Sequence, residues 1–117
     1  MITSKFENDV LCIEPHGRID SGNAAQVEQE IMDILNANPC QNVVLDIDDL
    51  EYISSAGLRV VLKVKKMRPK LKIVNASTEV YEIFEMTGFS EMINISRGYR
   101  KLSVDGCEVI GKGANGE

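Results

Sequence analysis

The most constraining stretch runs from Asn42 to Lys72, where a strand-like run and an acidic turn lead through two adjacent serines into an amphipathic helix. Asn42, Val43, Val44, Leu45, Asp46 and Ile47 form a short β-branched-rich run bounded by polar residues, the pattern of a central strand covered on both faces. Asp48, Asp49 and Glu51 interrupt it, and Leu50, Tyr52 and Ile53 are expected to pin the connection onto the core. From Leu58 the apolar positions Val61, Leu62 and Met67 recur near helical spacing. Lys63, Lys66 and Arg68 fall on the outer face, and Pro69 stops the helix. Ser54, Ser55, Ala56 and Gly57 therefore occupy the helix start.

Serine at that place has an ordinary role, because its hydroxyl accepts a bond from one of the unpaired N–H groups of a helix end. Two adjacent serines allow more. One can cap while the other projects outward, and Ala56 and Gly57 leave the surrounding surface free of bulky side chains. A phosphate there is electrostatically tolerable, since the helix dipole and free N–H groups stabilise an anion. A partner would then meet about two extra negative charges in place of a small hydroxyl. The junction has the makings of a binding switch.

Along the rest of the chain, Ile2–Phe6 and Val10–Glu14 read as a hairpin across the turn-prone Glu7-Asn8-Asp9. Pro15, His16 and Gly17 break regularity before Arg18-Ile19-Asp20. Asn23, with Gln26 three residues on, has the logic of a capping box opening a helix whose stripe is Ala24, Val27, Ile31, Ile34 and Leu35, and Asn38-Pro39 ends it. Leu71, Ile73 and Val74 predict another strand, followed by Asn75 and Ser77 as candidate caps. Val80, Ile83, Phe84 and Thr87 give the next helix its inward face, and Gly88 is placed to terminate it. Phe89, Met92, Ile93 and Ile95 suggest a last short core strand. Parallel strands need crossover connections, so this order implies an α/β fold: a mixed β-sheet packed with three to four helices.

Composition excludes several functions. The 117 residues suit one small domain, and 13 basic against 18 acidic side chains give a net charge of −5, which argues against direct nucleic-acid binding. No apolar run is long enough for membrane insertion, and the N-terminus lacks the apolar core of a secretion signal, so the expected location is cytoplasmic. Cys12, Cys40 and Cys107 show none of the close pairing of a zinc or dithiol motif and read as reduced thiols in or near the core. Asp20, Asp46, Asp48 and Asp49 lack the spacing of a twelve-residue calcium loop, so no metal or other cofactor is expected. With one histidine, His16, in a turn-like context, no nucleophile–base set can be built, and the chain reads as a non-enzyme. Arg59, Lys63, Lys65, Lys66, Arg68, Lys70 and Lys72 form a positive run, either a solvated helix face or a surface that steers an acidic partner.

The segment DLEYISSAGLRVVL resembles the signature strand–turn–helix of the STAS family, the domain of bacterial anti-sigma factor antagonists. GRIDSGNAAQVEQEI and VNASTEVYEIFEMTGFSEMINI resemble its second and third segments, in order, so that the resemblance covers residues 1–97. It implies a STAS-type fold, with the phosphoacceptor, two positions before the glycine, at Ser55. Many members carry Asp just before the phosphoacceptor, where this chain has Ser54. The loop before the first helix lies beside the phosphoacceptor loop in that family, so the implied partner contacts are Asp20, Ser21 and Asn23 together with Ser54, Ala56, Gly57 and Arg59. The implied partner is an anti-sigma factor serine kinase, bound when Ser55 is unphosphorylated.

Residues 98–117 read as a linker or extra hairpin. Val109-Ile110 followed by Gly111, Gly113 and Gly116 in G-x-G-x-x-G spacing looks like the start of a kinase-like nucleotide loop, with everything needed after it missing. The alternative it raises is a regulatory STAS module of a longer kinase-like protein, its partner attached in cis. A STAS subunit of a transport assembly is a further option that the family's range leaves open.

Overall fold

In the computed structural model, residues 2–98, 101–104 and 107–110 are described. Alternating polar and apolar residues build the first hairpin, β1 (Ile2–Glu7) and β2 (Val10–Pro15), antiparallel across Asn8 and Asp9, both at positive φ. These two residue types tolerate the left-handed region that a tight hairpin turn demands. After β3 (Gly17–Ile19) come α1 (Ala24–Ala37), β4 (Asn42–Asp46), β5 (Leu50–Ile53) and α2 (Ser55–Met67). Then follow β6 (Lys72–Ala76), α3 (Thr78–Met86), a one-turn α4 (Phe89–Met92) and β7 (Asn94–Arg97). β8 (Lys101–Val104) and β9 (Cys107–Ile110) pair antiparallel in a sheet of their own.

The main sheet has the order β1-β2-β4-β6-β7, antiparallel only at β1/β2 and parallel elsewhere, which places β4 at its centre. The expected mixed sheet with helices is present, with four helices. β4 differs from the expectation that both of its faces are covered. Val43, Leu45 and Ile47 are buried, while Val44 and Asp46 are half-buried, because the helices pack on one face only. One core joins that face (Leu11, Ile13, Leu45, Ile73) to Ile31 and Leu35 of α1, Val61 and Val64 of α2, and Val80 and Phe84 of α3.

Local expectations were corrected at several places. Pro15 and Gly17, read as breaking regularity, lie instead within β2 and β3, and β3 pairs parallel with β5 through Ile19↔Ile53. Asn23 precedes α1 but makes no side-chain cap bond, and Gln26 donates to Glu30 instead, so the capping box does not form. Ser77 caps α3 by accepting from Val80 N, whereas Asn75 sits at φ 63° and donates to Asp46. Phe89–Met92, read as strand, is the helical turn α4. Gly88 at φ 82° supplies the left-handed residue that ends α3 and starts it. Met92 and Thr87, expected inward, are exposed, and Thr87 bonds back to the carbonyls of Ile83 and Phe84.

Candidate functional site

The two serines divide the helix start between them. Ser54 is extended (φ −91°, ψ 176°), and its Oγ accepts from Gly57 N at 3.3 Å while its carbonyl accepts from Leu58 N at 2.9 Å. Ser55 is the first helical residue, exposed, and its hydroxyl has no hydrogen-bond partner among the described residues. α2 carries no acidic residue in its first turn and has Lys65 and Lys66 in its last. Its N-terminal dipole is thus uncompensated by side-chain charge, a setting that favours an added anion.

Gly57, expected to contribute partner surface, is buried. A Cβ built on it would lie 2.7 Å from Ile53 Cγ1 and 2.8 Å from Ile19 Cγ2. Its role is to let α2 approach the β3/β5 pair. Ala56 is half-buried and Arg59 exposed, one turn beyond Ser55 on the same helix face.

The loop before α1 reaches the serines through strand pairing. Ser54 N donates to Ile19 O at 2.8 Å, so the residues following Ile19 start beside the α2 N-terminus. Within that loop Asp20 Oδ1 accepts from Gly22 N at 2.9 Å and Asn23 N at 3.1 Å. Asn23 Oδ1 accepts from Asp20 N at 2.9 Å, and its Nδ2 donates to Arg18 O at 2.8 Å. Asp20 and Asn23 thus spend their hydrogen-bonding capacity on holding the loop, and Ser21 is left exposed.

Tyr52, expected to pin the core, is 38% exposed, whereas its neighbours Leu50 and Ile53 are each 2% exposed. The Arg18 guanidinium lies over its ring, 4.6 Å from the centroid. Sequence reasoning missed this pair. β5 buries its two ends, Leu50 and Ile53, and exposes Glu51 and Tyr52 between them, so strict alternation, which would set Tyr52 beside Leu50, did not mark the pair.

The charged groups sort differently from the sequence reading. Arg68, placed on the outer face of α2, folds inward to donate to Leu35 O at 2.9 Å and Asn38 O at 3.3 Å, where α1 ends. Lys63 pairs with Glu28 at 2.8 Å. Asp46, Asp49 and Asp20 are engaged separately: Asp46 with Asn75 and Asp48 N, Asp49 with His16, Asp20 with its own loop. The acidic groups that do converge are Glu14 and Asp46, with Cys12, whose ligand atoms lie within 4.8 Å of one another on the open sheet face. Burial, then Asp46 and Glu14, push the Cys12 thiol up from its ordinary value, against the opposing pull of Lys5. His16, uninformative in the sequence, bridges Asp49 Oδ2 at 2.8 Å and Thr3 Oγ1 at 2.9 Å, tying the acidic turn ahead of β5 to the first hairpin. Cys12 and Cys40 are free and half-buried. Gly111, Gly113 and Gly116 lie outside the described residues.

Comparison with known proteins follows this geometry. The STAS domain family model matches residues 1–102. BtrV of Bordetella bronchiseptica, named as a candidate anti-sigma factor antagonist, is 36% identical over 91 residues, covering 74% of this chain and 76% of that protein. A candidate anti-sigma factor antagonist from Thermotoga maritima superposes with a TM-score of 0.74 at 21% identity, covering 80% of this chain and 84% of its own. The Bacillus cell fate determinant SpoIIAA in its phosphorylated form superposes at 0.60 with 14% identity, covering 82% and 91%.

Proposed function

The chain belongs to the STAS domain family, and from that premise we propose that it is an anti-sigma factor antagonist whose binding is switched by phosphate on Ser55. Unmodified, the surface formed by Ser55, Ala56 and Arg59 with the Asp20–Asn23 loop binds an anti-sigma factor kinase and frees the sigma factor. In the modified state, the kinase's ATP has given its γ-phosphoryl group to Ser55 Oγ, the hydroxyl proton has passed to a base on the kinase, and ADP has left. The chain is the substrate of this step and does no chemistry itself. Among the described residues no helix is long and apolar enough to cross a membrane, which suits a partner in the cytoplasm.

The observation that carries this reading is the division of labour at the helix start. Ser54 holds the cap and Ser55 stands free, in the position that the family resemblance gives to the phosphoacceptor. Ser and Asp are both strong N-caps, so Ser54 performs the structural task of the Asp that many members carry there. It does so without a negative charge that would oppose the incoming phosphate. The structural neighbour SpoIIAA is known in a phosphorylated form, in keeping with a phosphorylated state of this chain.

Phosphosite mass spectrometry of the native protein, alongside Ser54→Ala and Ser55→Ala, tests the proposal. Phosphate persisting in Ser54→Ala and vanishing in Ser55→Ala is the expected result. Phosphate that survives Ser55→Ala at the same stoichiometry would overturn the assignment.

A further inference from the structure

The loop and the helix start point to the switch, but the most exposed aromatic near it lies elsewhere, on β5. Tyr52 is 38% exposed on a strand that buries Leu50 and Ile53 to 2% each. Arg18 Cζ lies over the ring, 4.6 Å from its centroid, and both residues belong to the strand pair whose ends deliver Asp20 and Ser54. The ring contact leaves the guanidinium N–H groups without a hydrogen bond or ion pair among the described residues. This is notable in a chain with 18 acidic side chains, several of them in the adjacent turn: Asp48, Asp49 and Glu51 do not pair with Arg18.

A guanidinium held over an aromatic ring, with its N–H groups free, can offer its planar fork for bidentate recognition of a carboxylate. Tyr and Arg are also the residue types in which interface binding energy concentrates. We propose that Arg18 and Tyr52 form a recognition platform beside Ser55 that receives a carboxylate-bearing surface of the anti-sigma factor kinase. Tyr52 supplies the apolar contact and fixes the guanidinium, and Arg18 supplies the charge-assisted bonds. This inference rests on the partner assigned above, and extends the binding surface to two residues outside the partner contacts that the family resemblance implies.

The test is titration calorimetry of the full chain against the purified anti-sigma factor kinase encoded in the same genome, over a series of salt concentrations. Arg18→Ala is expected to weaken binding about tenfold and to flatten its salt dependence. Arg18→Lys should recover little of that loss, because an ammonium cannot reproduce a stacked planar fork. Tyr52→Ala should weaken binding to a similar degree, non-additively with Arg18→Ala, while Tyr52→Phe, which keeps the ring, stays within twofold of wild type. Thermal unfolding of each variant checks that the fold is retained. Should Arg18→Ala bind within twofold of wild type while Ser55→Glu abolishes binding, the platform is refuted and the switch stands. If wild type itself shows no binding, the partner assignment fails and the platform falls with it.

Discussion

At Ser54 the hydroxyl accepts from Gly57 N at 3.3 Å, so Ser54→Ala strips an N-cap and is expected to cost about 1 kcal/mol in denaturant unfolding. Ser55→Ala removes an exposed hydroxyl with no partner among the described residues, and stability should stay within about 0.5 kcal/mol of wild type. Reversal of that order would mean that Ser55 is the cap. Gly57→Ala gains about 1 kcal/mol of helix propensity but drives a Cβ to 2.7 Å and 2.8 Å from two buried isoleucines. Both isoleucines are buried, so the added methyl group must displace packed side chains, and a net loss of about 1 to 2 kcal/mol is predicted. Cys12 sets a pH dependence. Its folded-state pKa is raised above the ordinary 9.0, so its proton is held in both states below that value. As pH rises through 9.0 the unfolded chain ionises first and stability falls until the folded thiol ionises too. Urea midpoints measured from pH 7 upward should fall less steeply above pH 9.0 in Cys12→Ser than in wild type.

Among the elements, α1 and α2 are joined at their C-terminal ends by Arg68, whose guanidinium donates to the carbonyls of Leu35 and Asn38, which also accept from Asn38 N and Cys40 N. Arg68→Ala removes both charge-assisted bonds, leaving each carbonyl only its backbone donor, and should cost about 1 to 2 kcal/mol in chemical denaturation. An unchanged midpoint would show that water replaces the guanidinium at no cost. The elements carrying a strong period were legible in the sequence: the β1/β2 hairpin, α1, α2, α3 and the central β4 all rest on apolar spacing that local residues dictate. β3 was not, because its three residues become a strand only by pairing with β5, 31 or more positions away. Phe89–Met92 looked like strand by composition, yet the left-handed Gly88 turns it into a helical cap on α3. The same limit applied to the site. Apolar spacing located the helix start, while the approach of Asp20–Asn23 to Ser54 depends on the Ile19–Ser54 bond between distant segments. The family resemblance gave that adjacency before any geometry did. Arg18, Tyr52 and the inward turn of Arg68 had no comparable signal, since each rests on which side of an element faces its neighbour.

For the whole molecule, one helical layer on one sheet face gathers the starts of α1 and α2 at the ends of β3 and β5, so that the proposed switch stands on paired, packed elements. Such a support lets a single charge change alter a surface without altering the fold. The net charge of −5 makes the effect of a phosphate local, since two more negative charges change the overall sign of nothing. The central claim is that this surface binds the kinase only while Ser55 is unmodified. Its most direct measurement is the affinity of the purified anti-sigma factor kinase for the chain before and after stoichiometric phosphorylation of Ser55. Placing a phosphate in a fitted interface should cost about 3 kcal/mol, a loss of roughly two orders of magnitude in affinity. Equal affinities for the two forms would contradict the account.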